Sequence, residues 1–430
     1  MIRVLVEAEK NTSSVVVEML KKIFGCALLL FLITLALTSC IQTNKVLTIS
    51  ENELFKVNYG NFEEQLNLFD INSAGNITTA CTMRDGFFYI VNGEAGKIIS
   101  LNSYGDLLSL FYSEDSYSGE KKGLVTESSS GIWKPVYYPF QLTSKIVIDS
   151  RKFMYVVGNV PKDRNEQSED DNLLLSQVVL RISSDGKEID YIGQQGPGGT
   201  PFPNIRNIYT TENNELVVVC TTNSGLCVYW FAINGFLRYK IPVDTNSVPK
   251  ITPESVNSQA QQSDLWVTIE NIVPDCYAER IYIKVDYYFP HIDDESKTQS
   301  GVDFVKSSVY PLNIENGVFG ESLNIPAYEE SVTEDFSKLT YRLPYDFLGT
   351  TKNGWMYFII TTEKGFNILM IQPGTQFTIK RNLEVDHSDV LYYSLSLSSE
   401  GIISALLCEK ENARVVWWRS DSLIDSMFKS

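Results

Sequence analysis

Only two histidines, His291 and His387, occur in the 430 residues, so any imidazole chemistry must start from one of them. His291 stands in Pro290-His291-Ile292-Asp293-Asp294-Glu295, one imidazole beside three carboxylates. A divalent cation could use that set, but a hydrated acidic loop has the same composition, and two histidines exclude a three-histidine zinc centre. His387 lies in Asp386-His387-Ser388. These are the residue types of a hydrolytic triad, yet neighbours on one loop cannot adopt relay geometry, and no Gly-x-Ser-x-Gly elbow accompanies them. The stretch from Gly193 to Gly198-Gly199-Thr200 misses a phosphate-binding loop, because the lysine that reaches the phosphates is absent. Asp70-Ile71-Asn72-Ser73-Ala74-Gly75 begins like a calcium loop but has Cys81 where the bidentate glutamate belongs. The acidic run Glu166–Asp171 reads as a mobile insertion. These residues lead to the expectation of no catalytic set, no metal site and no cofactor.

The other chemistry is at a cysteine. Lys21 and Lys22 precede the apolar run Ile23–Leu37, 15 residues broken only by Gly25 and Thr34. That is the length of a signal peptide's apolar core; spanning a bilayer takes about 20 residues. Leu37-Thr38-Ser39-Cys40 resembles the bacterial lipobox. The resemblance implies a diacylglycerol thioether on Cys40, cleavage before it, and acylation of the new amine, since two or more chains are needed for stable anchoring. A membrane-spanning helix with a chance cysteine and an ordinary cleaved signal are the competing readings. Acidic Glu7, Glu9 and Glu18 do not belong ahead of an export signal. The expected layout is therefore an upstream extension at 1–18, a signal at 19–39, a lipidated tether at 40–45 and one folded domain at 46–430.

Composition sets the class of that domain. It is 43% hydrophobic, with 23 Tyr, 22 Phe and 6 Trp, an aromatic load that favours strands. Net charge is −17, and removing 1–39 takes away four basic and three acidic residues, leaving about −18. Such a surface repels nucleic acid and anionic headgroups, so membrane contact has to come from the lipid. Beyond Cys26 and Cys40 the cysteines are Cys81, Cys220, Cys227, Cys276 and Cys408, without a CxxC pair. Cys220 and Cys227 fall on adjacent strands, where they read as small apolar residues or as a pair.

The elements that would position any site are strands in a repeat. Turns at Asp85-Gly86, Asp149-Ser150 and Asn213-Asn214 are 64 residues apart, each followed by an apolar strand. Around each turn the pattern gives four short strands joined by Gly, Asp or Asn turns, for example Ile77–Met83, Phe87–Val91, Lys97–Leu101 and Leu107–Phe111. Leu54–Phe69 shows some helical spacing interrupted by Asn58, Gly60 and Asn61. Less regular units follow at Leu265–Leu312, Trp355–Ile379 and Ile402–Arg419. Small sheets with two apolar faces bury both only when repeated around an axis, so the expected fold is all-β, a β-propeller. Six blades are counted, with seven if 112–143 or 245–270 hides another. The last unit lacks an outer strand, and Val46–Ile49 or Leu54–Val57 near the N-terminus is expected to supply it and close the ring. Trp417 and Trp418, adjacent on one strand, must face opposite sides.

Ile192-Gly193-Gln194-Gln195-Gly196-Pro197-Gly198-Gly199-Thr200-Pro201-Phe202-Pro203 resembles the loop of NHL repeats, where a glycine-rich stretch, a Phe and a Pro precede an inner strand. With the lipobox, the chain resembles the NHL-like propeller lipoproteins of spirochaetes. That resemblance implies a bacterial cell-envelope location, at the outer or inner membrane and facing the periplasm or the surface, and no particular activity. A non-catalytic binding or scaffold role toward an envelope protein or peptide is expected. Trp133, Tyr137, Tyr138 and Phe140 are the candidate partner-binding residues, in an aromatic and proline-rich segment between blades. The alternatives are a propeller enzyme, a hydrolase or lyase for glycans or lactones, and a carbohydrate-binding module. Carboxylates gathered from different blades at one channel mouth would favour the enzyme.

Overall fold

Runs of β-branched and aromatic residues broken by short polar turns form six antiparallel sheets, and these are the blades of a β-propeller. The structure, a computed structural model, describes residues 46–60, 62–68, 77–113, 133–136, 141–168, 172–185, 188–251, 265–292, 298–334, 337–386 and 388–428. Blade one is built from Thr79–Arg84, Phe87–Asn92, Lys97–Leu101 and Leu107–Ser113, from the axis outward. Blade two uses Gln141–Ile148, Met154–Asn159, Gln177–Ile182 and Glu188–Gly193. Blade three uses Ile205–Thr210, Leu216–Thr221, Gly225–Phe231 and Leu237–Asp244. Blade four, with longer strands, uses Trp266–Pro274, Arg280–Ile292, Gln299–Asn313 and Leu323–Ile325. Blade five comprises Asp346–Thr350, Met356–Thr362, Gly365–Ile371 and Thr378–Glu384. Blade six comprises Tyr392–Leu397, Ile403–Cys408, Asn412–Trp418 and, last, Asn52–Asn58. We call the side where inner strands begin the upper face and the side where they turn back the lower face.

No blade can bury both of its faces by itself. Among the described residues the apolar core falls into six clusters, one at each seam between neighbouring blades. Six seams for six blades is the signature of a closed ring. The Asp85-Gly86 turn has φ of +50° and +77°, the two left-handed residues of a hairpin turn that matches strand twist. Phe202, from the glycine-rich loop, is fully buried between blades two and three, its ring edge-on to Tyr229 at 5.1 Å. Gly193 is required there, because a Cβ would lie 2.2 Å from the Gly199 carbonyl.

Closure is by a strand from the N-terminal side. Asn52–Asn58 pairs antiparallel with Asn412–Trp418. Phe55 and Val57 point into the seam between blades six and one, where Phe55 meets Phe88 edge-on at 5.6 Å. Outside it, Arg414 gathers Glu51, Glu409 and Glu53 at 2.5, 2.6 and 3.4 Å. The other expected closing strand goes elsewhere: in Leu47–Ile49, Thr48 donates to Glu384 at 3.4 Å along the outer strand of blade five. The interrupted helical spacing after Leu54 is overridden, since extended backbone lets Phe55 and Val57 reach one apolar seam together.

Among the described residues neither candidate stretch forms a seventh blade. Trp133–Val136 adds a parallel strand to the outer edge of blade one, and residue 266 opens blade four. Part of the expected mobile insertion in blade two is ordered, with Glu166–Gln167 pairing with Leu174–Leu175. Two elements went unread in the sequence: the hairpin Tyr328–Glu334 and Ser337–Leu343, and the helix Ser420–Phe428, which seats Ile424 against blades five and six. Trp418 is fully buried between blades five and six, while Trp417 leans toward Phe88 in the next seam. Cys220 and Cys227 are opposite each other in register and buried, with no disulfide between them.

Candidate functional site

The inner strands of all six blades converge on an axial cavity of about 280 Å³. Thr82 and Arg84 reach it from blade one, Lys145 from blade two, Tyr209 from blade three, Cys276 from blade four and Ser396 from blade six. The lower mouth is stitched shut. Arg84 passes blade two to pair with Glu212 of blade three at 3.0 Å, with side chains only 10% and 17% exposed. Around it run contacts between neighbours: Lys152 with Asp85, Ser150 N to Asn214 at 2.9 Å, Asn213 Nδ2 to the Tyr277 carbonyl at 3.0 Å, and Lys352 with Glu400 at 3.2 Å. The Lys152 ammonium holds the Asp85 carboxyl below its usual range. Several partners are 64 residues apart, so the repeat continues structurally into blade four.

The upper mouth is built from β-bulges. The inner strands are irregular between Leu142 and Ile146, Ile205 and Asn207, Ile269 and Asn271, and Phe347 and Gly349. A bulge re-aims the side chain of its extra residue. Here Arg206 and Glu270 occupy that position one repeat apart, and Lys145 falls in the irregular stretch of blade two. Arg206 Nη2 donates to the Glu270 carbonyl, and Asn207 Nδ2 to Asn271 Oδ1 at 2.9 Å. Asn271 in turn donates to the Phe347 carbonyl at 2.9 Å, so three blades are locked together.

Behind Glu270 sits a buried charge cluster. Lys284, with no exposure at all, lies 2.7 Å from Asp286 Oδ1 and 3.5 Å from Glu270 Oε2. Ser307 also donates to Asp286, and Phe347 N–H to Glu270 Oε2 at 3.0 Å. Burial pushes the Glu270 carboxyl up to about 7, against the pull of Lys284. Asp346, exposed at the rim of blade five, is raised by partial burial of its carboxyl and by Asp286. Lys145 is lowered, first by burial and then by Arg206. A carboxyl poised near neutrality can exchange a proton, and an uncompensated ammonium can hold an anion.

Above this mouth blade four becomes a ribbon. Its second and third strands stay paired through His291 and Ile292, beyond Tyr288, where the inner strand has already started at Trp266. Trp266, Ile292 and Val302 are exposed, at 52%, 49% and 44%. His291 Nδ1 meets Asp303 across the ribbon at 2.8 Å. Among the described residues no group of three or more His, Cys, Asp or Glu could hold a metal ion. Ser388 closes on Asp386 at 2.7 Å in a local turn; His387 lies outside the described residues.

Of the aromatic residues expected to meet a partner, Trp133 lies opposite Leu110 on the parallel strand at the outer edge of blade one, away from the axis. Tyr137, Tyr138 and Phe140 lie outside the described residues, as do the lipid site Cys40 and the acidic run 293–295. Lys145, Arg206, Glu270 and Lys284 were missed in the sequence. A single signal pointed to two of them: Arg206 and Glu270 are spaced by the 64-residue repeat.

No family model matches the chain, and a search of curated proteins finds no match. Similar solved structures include a streptogramin B lyase, 13% identical over 81% of this chain and 95% of that one, with a TM-score of 0.33. A polysaccharide lyase is 7% identical, covering 87% and 99%, with a TM-score of 0.37. A gluconolactonase from Xanthomonas campestris is 7% identical, covering 85% and 98%, with a TM-score of 0.38. Likeness at this level brings no activity with it.

Proposed function

We propose that this chain is a binding protein of a bacterial cell envelope, held to a membrane through a lipid on Cys40, that engages a protein partner with its upper face. The observation that carries the reading is the blade-four ribbon. Among the described residues no strand pairs with the inner side of its second strand beyond Tyr288, which leaves an edge along Phe289 and Pro290. Apolar side chains stand beside that edge at Trp266, Ile292 and Val302. An extended segment of a partner can add a strand there, its main chain supplying affinity and alternate side chains specificity. The anchor is supported by Lys21, Lys22, the run Ile23–Leu37 and Leu37-Thr38-Ser39-Cys40. The NHL-like assignment is supported by one loop, whose Phe202 fills an inter-blade seam.

The test is a photo-crosslinking side chain placed at Ile292 in cells, compared with Tyr104, exposed on a turn of blade one. An adduct with one envelope protein from position 292 alone is expected. Equal labelling from both positions, or none from 292, overturns the reading. Fatty-acid labelling of Cys40→Ala tests the anchor separately, with loss of label expected; membrane fractionation assigns the leaflet.

A second reading is favoured by Glu270, Asp286 and Asp346, three carboxylates from two blades near the upper mouth. A proton carrier near pH 7 beside an axial cavity suits a hydrolase or lyase acting on a glycan or lactone. Turnover lost in Glu270→Gln, with a wild-type pH profile bending near 7, would establish it; unchanged turnover would remove Glu270.

A further inference from the structure

The axial cavity carries more positive charge than its surroundings explain. In a molecule of net charge −17, its lining includes Lys145 and Arg84 but one carboxylate, Asp275. That carboxylate is already committed to the amides of Tyr277 and Ala278, each at 2.9 Å, and to the Tyr282 hydroxyl at 2.7 Å. Arg84 is tied to Glu212, while its buried Nε–H has no partner among the described residues. Lys145 is different. No carboxylate of the described residues pairs with its ammonium, and the charge that acts on it is the Arg206 guanidinium of the next blade. Two cations at a half-buried mouth repel each other.

The hydroxyls lining the cavity divide in the same way. Those of Thr210, Thr350, Ser394, Ser396 and Ser398 are engaged within or between the blades. Among the described residues the hydroxyls of Thr82 and Ser144, which also line the cavity, make no such hydrogen bond. One free ammonium, two free hydroxyls and a cavity near the lower end of ligand-site volumes describe a receptor for something small and negatively charged. Low-dielectric walls concentrate that field on the axis.

We infer that the axial cavity binds a small oxyanion, a carboxylate or a phosphate, on the ammonium of Lys145 beside Arg206. The site is independent of the ribbon and of the lipid anchor. Glu270, Asp286 and Asp346 act on Lys284 and Arg206, and none of them pairs with Lys145, leaving Lys145 as the group that the anion neutralises.

Titration calorimetry on the full chain in detergent, with inorganic phosphate and with acetate at constant ionic strength, tests this. Saturable binding of at least one is expected. Lys145→Met should weaken it about 10- to 100-fold, the worth of one charge-assisted hydrogen bond, while Lys145→Arg retains it. Without anion, Lys145→Met should melt at the same temperature as wild type or higher, because a repelling charge has been removed, so misfolding will not mimic lost binding. Phosphate alone or acetate alone identifies which oxyanion is preferred, and either supports the site. No saturable heat from either anion, or equal affinity in Lys145→Met, overturns it.

Discussion

Replacing Phe55 with alanine tests whether the ring is held closed where the first described strands meet the last blade. Phe55 is 8% exposed and packs among Phe88, Leu101, Leu406 and Val415, the last two separated from it by most of the chain. Truncating a buried phenylalanine costs about 3–5 kcal/mol through lost transfer energy and the cavity left behind. At 1.36 kcal/mol per tenfold, that raises the population with an opened seam by about two to four orders of magnitude. The effect should be local before it is global: amides of Asn412–Trp418 that bond to Asn52–Asn58 exchange faster, while those of blades two and three do not. Hydrogen exchange with mass spectrometry reads this directly, and urea denaturation gives the total. Lys56→Ala is the control, since Lys56 is 53% exposed on the same strand and should change stability by less than about 0.5 kcal/mol. If Phe55→Ala costs under about 1 kcal/mol and leaves exchange in Asn412–Trp418 untouched, this strand does not close the ring.

Gly105→Ala strains the same seam from the other side, because Gly105 has φ +85° and an added Cβ would come within 2.9 Å of Phe55 Cβ; a loss of about 1–3 kcal/mol in urea is expected. Phe202→Ala should cost about 3–5 kcal/mol and expose the seam between blades two and three, read as faster exchange in Ile205–Thr210. The Glu270 carboxyl is raised from 4.5 to about 7, so the folded state holds its proton more tightly than the unfolded state. Its contribution is present below about pH 4.5 and is lost as pH rises through 7, on the order of 3 kcal/mol in all. Glu270→Gln should abolish that part of the fall, and an unchanged slope in stability between pH 4.5 and 7 would refute it.

The first three blades were legible because turn chemistry and strand pattern agree at each 64-residue step. Blade four keeps the spacing in its hydrogen bonds, Arg206 to Glu270 and Asn213 to Tyr277, but Tyr277-Ala278 replaces the Asp or Asn turn, so the pattern hides it. Blade five is displaced by the inserted hairpin Tyr328–Leu343, and its inner strand Asp346–Thr350 is five residues long with Gly349 inside, too short for alternation to register. Adjacent Trp417 and Trp418 could be assigned to opposite faces because a strand has period two. The charged residues at the axis could not be assigned. In a strand, Lys145, Arg206 and Glu270 look like ordinary surface alternation, and only the bulges, invisible to periodicity, set Arg206 and Glu270 at the upper mouth and Lys145 on the cavity wall.

Blade four also shows that this charge is not a requirement of the fold. In blade three the inner-strand Asn207 faces Val219; in blade four the equivalent Asn271 faces Lys284. An aliphatic position has become a fully buried lysine, compensated by Asp286 at 2.7 Å. Well-packed apolar residues in place of such a pair are often neutral or stabilising, whereas removing one partner costs about 3–5 kcal/mol. Lys284→Met should therefore destabilise by about that amount, because Asp286 is left charged with its side chain 3% exposed. Lys284→Met combined with Asp286→Leu should restore wild-type stability or exceed it, as judged by urea midpoints. A double variant as unstable as the single one would mean that the pair holds the blade together. A stable double variant in which Glu270 titrates at a different pH would mean that the pair serves the upper mouth, since Lys284 is the cation that moderates that carboxyl.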